Sequence, residues 1–144
     1  MDAWLRWLAI AVMALPACAM AQRHMERGNW HITTHVTTNG KPEPVQVQDE
    51  CLGDEPKDLA AYFSPALEGV NAKCDRTPRK AAANAIAYKM KCTGKGFTME
   101  SESEVIVQGP KKFTANLKMD TKTAKERAVV VAKAEGNHTG ACKL

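Results

Sequence analysis

The chain has 144 residues, a net charge of +4 and a composition that is 44% hydrophobic but only 6% aromatic. That length suits one domain with a modest core. No stretch reaches the roughly 20 apolar residues of a membrane-spanning helix, and so few rings among scattered cations argue against nucleic-acid binding, which combines clustered cations with stacking aromatics.

The first residues read as an export signal. Arg6 and the free amine precede an uncharged apolar run from Trp7 to Leu15, Pro16 breaks it, and small residues follow. Two processing routes fit. Ala19 and Ala21 place small side chains where a signal peptidase reads them, so residues 1–21 are expected to be removed and 22–144 to form a single disulfide-stapled β domain. The alternative is lipidation of Cys18, whose preceding Leu15-Pro16-Ala17 resembles a lipid-attachment box, with Pro16 out of character. The first route makes the protein periplasmic and the second an outer-membrane-anchored lipoprotein. Both leave Cys51, Cys74, Cys92 and Cys142, an even set that reads as two disulfides in an exported chain.

In chain order, Trp30 to Thr38 alternates and is rich in β-branched residues, which predicts a strand with Trp30, Ile32 and Val36 on one face and His31 and His35 on the other. Asn39-Gly40 predicts a turn. Val45 to Cys51 predicts a second strand with Val45 and Val47 inward. Asp54 is placed to cap a short helix with Pro56 in its first turn and Leu59, Tyr62 and Phe63 on one face, limited by Pro65. A loop through Gly69 and Asn71 then leads to Cys74 and the basic run Asp75 to Lys80. Alanines favour helix from Ala81 onward, but the alternation of Ile86, Tyr88, Met90 and Cys92 favours a strand from Ala85 to Cys92.

A long strand follows from Phe97 to Val107, with Phe97, Met99, Val105 and Val107 inward and Glu100, Glu102 and Glu104 outward. Phe113, Ala115, Leu117 and Met119 mark the next inward face, and Arg127 to Glu135 the last β-rich run. The expected fold is mainly β, in the α+β sense: a curved antiparallel meander of about six strands with one short helix and two disulfides.

Gly28-Asn29-Trp30, Cys51-Leu52, Cys74, Cys92 with Gly94, and Gly140-Ala141-Cys142 occur in one order. This ordered set, covering Gly28 to Cys142, resembles the small exported Gram-negative bacterial proteins grouped as domain of unknown function 3617. His31 and the alanine-rich stretch before Cys92 depart from that pattern. The resemblance implies export and four patterned cysteines, and brings no activity or catalytic residues with it.

Two bridges allow three connectivities. Cys51–Cys74, closing the helical excursion, and Cys92–Cys142, tying the chain end to a mid-sheet strand, are expected. Paired thiols without a Cys-x-x-Cys spacing are structural rather than redox or metal-binding. His31 and His35 lie roughly 13 Å apart along a strand, too far to share a metal. His138, in Gly136-Asn137-His138, reads as a turn residue. Glu100, Glu102 and Glu104 are expected to pair across strands with Lys89, Lys91 or Lys118 rather than to form a glycosidase pair, which needs a cleft. None of Ser64, Ser101 and Ser103 sits in a nucleophile motif.

These readings favour a non-enzymatic binding domain without cofactor or metal. Its partner is either a small apolar ligand or an envelope component. For the ligand case, Trp30, Ile32, Phe97, Met99, Val105, Phe113, Leu117 and Met119 line a concave face or simply fill it. The alternative is a protein-facing inhibitor or assembly factor for cell-envelope enzymes, using the acidic Glu43–Glu68 region and the basic middle. A hydrolase is the remaining, weaker reading. A pocket of roughly 300 Å3 or more favours the ligand, a solid core the protein partner.

Overall fold

A computed structural model describes residues 23–63, 65 and 71–143. The expected signal segment 1–21 and Cys18 lie outside them. Eight strands and one short helix follow in order: β1 (Gly28–Thr38), β2 (Lys41–Pro42), β3 (Gln46–Leu52), α1 (Pro56–Tyr62), β4 (Ala72–Arg79), β5 (Ala85–Gly94), β6 (Phe97–Val107), β7 (Lys112–Thr123) and β8 (Arg127–Gly140). They form one open antiparallel sheet in the order β2-β1-β8-β7-β6-β5-β4, with β3 also on β1. The expected antiparallel fold with one helix and two disulfides is therefore present.

Asn39 and Gly40 both adopt positive φ, 49° and 78°, and join Thr38 to Lys41 in a two-residue hairpin. Such a turn matches the right-handed twist of its strands. Pro56 opens α1, but its N-cap is Glu55, which makes no side-chain capping bond, so Asp54 is not the cap. Leu59 and Ala60 are buried while Tyr62 is exposed. The last strand runs five residues past the expected Glu135 and places His138 in β8 rather than in a turn.

The core lies where α1 covers one end of the sheet. Met25, Trp30, Ile32, Leu52, Leu59, Val105, Val107 and Phe113 form it, with Phe63, Ile86 and Tyr88 packed against it. The rings of Trp30 and Phe113 lie 5.2 Å apart and those of Phe63 and Phe113 6.0 Å. Trp30 Nε1–H donates to the Glu26 carbonyl, and the Glu26 amide donates to the Pro110 carbonyl. The residues before β1 are thereby tied to the β6–β7 turn.

Two expectations are corrected. The disulfides are Cys51–Cys142 and Cys74–Cys92, not Cys51–Cys74 and Cys92–Cys142. The reason is β4. Residues after the expected loop, for which no strand was expected, form an edge strand whose Cys74 lies directly opposite Cys92 on β5. Meanwhile Asn29 on β1 is flanked by Cys51 of β3 and Gly140 of β8, so Cys142 emerges beside Cys51 with a Cα separation of 5.3 Å. Second, Val45 and Val47 are not inward but 52% and 57% exposed. β3 is an outer strand beyond β1, and its only inner-face apolar residue is Leu52.

Candidate functional site

The continuous register sorts the sheet into two faces with different chemistry. On the inner face, the row nearest α1 joins Ile32, Gly136, Phe113 and Val107. Of the residues expected to line or fill this face, Trp30, Ile32, Met99, Val105 and Phe113 are no more than 2% exposed. They are buried in the core. Phe97, Leu117 and Met119 are half-buried.

Two rows further from the core change character. One joins Val36, Ala132, Leu117, Ser103 and Tyr88; the next joins Thr38, Val130, Met119, Ser101 and Met90. Apolar side chains that are half-buried flank a floor of two buried serines there. Arg76, opposite Met90 on the edge strand, lies over the Tyr88 ring with its guanidinium carbon 3.9 Å from the centroid. A cation over a ring face is held electrostatically.

The outer face is a polar lattice. Glu102 meets Lys89 at 3.9 Å and Arg79 at 3.5 Å, Glu100 meets Lys91 at 3.3 Å, and Glu135 meets Lys112 at 3.2 Å. Of the glutamate stripe, Glu102 and Glu100 thus pair with Lys89 and Lys91 across strands, Glu104 lies opposite Asn116, and Lys118 sits opposite Glu102 in register. Hydrogen bonds from Lys112 and Asn137 hold the Glu135 carboxyl below its ordinary range. Asp120 accepts two bonds from Arg127, at 2.9 and 2.6 Å, which lower its carboxyl likewise. Solvent screens each of these exposed pairs, so singly they add little to stability. Their arrangement sets each of these carboxylates beside a cation.

A recess of about 490 Å3 opens on this outer face between Thr33, His35, Thr114, Asn116, Lys133 and Glu135. It carries hydroxyl, amide and charged groups and the imidazole of His35, but no Phe, Tyr or Trp ring. His31 is bound to Asp49 at 3.0 Å, and His35 borders the recess, so the two histidines face different surroundings. Among the described residues, no three His, Cys, Asp or Glu side chains are grouped as metal ligands would be.

His138 was missed as an inward-facing, half-buried group. Its ring packs edge-on to Trp30, with Nδ1 3.5 Å from Glu26 and Nε2 3.2 Å from the Arg27 carbonyl. The sequence signal was its parity with Gly136 and Ala134, visible only once β8 is extended past Glu135.

The four cysteines stand in two pairs, at the two edges of the sheet, and the segments between them form the strands described above. A family model described as a protein of unknown function (DUF3617) matches residues 25–142. The chain belongs to this family. The DUF3617 match starts at the buried Met25 and ends at the disulfide-bonded Cys142, so it spans all eight strands and both bridges. No curated protein and no solved structure matches the chain.

Proposed function

We propose that this DUF3617 chain is an exported, non-enzymatic domain of the periplasm that acts by binding another protein of the cell envelope. The observation that carries this is the filled core. Of the side chains best suited to line a ligand cavity, Trp30, Ile32 and Phe113 are packed together in one cluster with Leu59 and Ala60 of α1, and Met99 is buried. What the fold offers outward is a wide charged face and two sheet edges, the surfaces that proteins recognise. The disulfides and the signal-like first residues support export.

The test is chemical crosslinking in the host, followed by purification without reductant and intact mass measurement. The expected result is a crosslinked second polypeptide on a chain starting at Gln22. Acyl chains on Cys18 place the same binding activity at the membrane instead. An uncrosslinked protein under conditions that crosslink known envelope pairs overturns the reading.

A second reading rests on the half-buried band of Val36, Val130, Ala132, Leu117 and Met119. An apolar small molecule lying across it makes the protein a carrier. Its mark is a reproducible small-molecule adduct in native mass spectrometry, lost in Leu117→Asp. Hydrolytic activity that disappears in Glu102→Gln is the corresponding mark of an enzyme.

A further inference from the structure

The two free edges of the sheet are built differently. β4 ends the sheet on one side and is protected: Pro78 removes a backbone donor, and Lys73, Arg76 and Arg79 line the strand. Prolines and cations are how edge strands avoid pairing. Among the described residues β3, on the other side, pairs with β1 alone, and Gln46–Leu52 contains neither proline nor lysine. Its backbone rim is therefore available to a further strand.

Three features mark that rim as a template. Val45 and Val47 are the most exposed large hydrophobic residues among those described. Cys51, near the end of β3, is bonded to Cys142, which fixes the strand against the sheet. The rim is also acidic. Residues 42–56 contain Glu43, Asp49, Glu50, Asp54 and Glu55 and no Lys or Arg. Asp49 reaches only His31, Glu55 is met by Lys57, and Glu50 has no cationic partner among the described residues.

We infer that β3 is a docking edge for an extended, basic segment of another protein, which adds to the sheet as a strand beyond β3. This rests on the protein-binding reading above and specifies its partner. Main-chain hydrogen bonds supply affinity, and alternate side chains supply selection. The register sets the pattern. Val47 and Asp49 share the outer face of β3, and Glu50 lies on the inner face. The incoming strand therefore carries an apolar residue opposite Val47, a cation opposite Asp49 and a second cation opposite Glu50. A second copy pairing β3 to β3 brings carboxylates together and is disfavoured.

The test uses the oxidised protein and three labelled, end-capped nonapeptides: a lysine–valine peptide that places valine opposite Val47 and lysine opposite Asp49 and Glu50, its counterpart with glutamate in place of each lysine, and the lysine peptide N-methylated at alternate residues. The lysine peptide is expected to bind by fluorescence anisotropy and to slow amide exchange within β3 at least about tenfold. Glu50→Lys and Val47→Asp, both at exposed or half-exposed positions, are expected to weaken it about tenfold or more. The glutamate and N-methylated peptides are expected not to bind. Equal binding of the N-methylated peptide overturns the inference, because charge attraction alone then explains the effect. Protection centred on β4 or the outer face overturns it as well, as does self-association of the unliganded protein through β3 by light scattering. In host crosslinking, a partner captured equally by wild type and Glu50→Lys sinks this edge while leaving the protein-binding reading standing. Absence of any crosslinked partner for either sinks the broader reading.

Discussion

At the residue scale, two glycines show how an aromatic ring substitutes for a missing side chain. Gly136 on β8 lies opposite Phe113, and Gly94 on β5 opposite Phe97. In each case a Cβ added to the glycine would fall 2.1 Å from the ring's Cε1. The difference is freedom to yield. Phe113 is locked between Trp30 and Phe63, whereas Phe97 is half-buried at the strand end. Gly136→Ala is therefore expected to cost about 1–3 kcal/mol, the usual range for overpacking, and Gly94→Ala clearly less; urea midpoints at constant slope measure both. Asp120 provides a second residue-scale prediction. Hydrogen bonding from Arg127 holds its carboxyl below the ordinary 3.8. A depressed carboxyl adds stability above its unfolded value and loses it as pH falls through the folded one. Asp120→Asn is thus expected to lose less stability than wild type between about pH 5 and pH 2, seen as a flatter urea midpoint against pH. Residue types also explain what pattern reading missed. Ser101 and Ser103 share parity with Met99 and Val105 and are 4% and 7% exposed, yet a hydroxyl does not announce an inward position.

At the element scale, strands with strong alternation were legible and those defined by a neighbour were not. Phe97–Val107 matches its expected bounds because an acidic outer face and an apolar inner face alternate along it. β5 begins at the expected Ala85 although its alanines favour helix, since pairing on both sides overrides a weak intrinsic preference. β4 carried no such signal. Apart from Ala72 its residues are exposed, and Pro78 argues against a central strand. Missing β4 led directly to the wrong cysteine pairing. The two bridges should accordingly differ in effect. Cys74–Cys92 spans 18 residues and Cys51–Cys142 spans 91. In the loop-entropy model the first contributes about 3 kcal/mol and the second about 4.5 kcal/mol. Paired Cys→Ala replacements are expected to reproduce that order in denaturant unfolding. Amide exchange should separate them further: loss of Cys74–Cys92 frees β4 alone, while loss of Cys51–Cys142 loosens β3 together with the end of β8.

At the scale of the whole molecule, the sheet order contains one long-range step. From β4 to β8 each strand pairs with the next in sequence, but β1 pairs with β8, so Thr38 meets Val130 and Trp30 meets His138. No local periodicity reports that pairing, because it is decided by which open edge remains after the meander has formed. It also joins the core, since Trp30 and Ile32 reach Phe113 and α1 only once β1 is seated on β8. Closing a loop of about 100 residues costs entropy before any contact repays it. The Cys51–Cys142 bridge joins β3, already hairpinned to β1, to the end of β8, and so holds the two ends of that loop together even in the unfolded chain. Refolding from denaturant with both disulfides intact is therefore expected to be at least about tenfold faster than refolding of Cys51→Ala/Cys142→Ala, with much less change in the unfolding limb. Cys74→Ala/Cys92→Ala, which releases only a local hairpin, is expected to leave the refolding limb nearly unchanged. Stopped-flow tryptophan fluorescence reads this directly, because Trp30 is buried at the β1–β8 seam. Equal refolding rates for the intact protein and Cys51→Ala/Cys142→Ala would mean that β1 docks after the transition state, and that the meander β4–β8 is the folding nucleus onto which the first strand is added last.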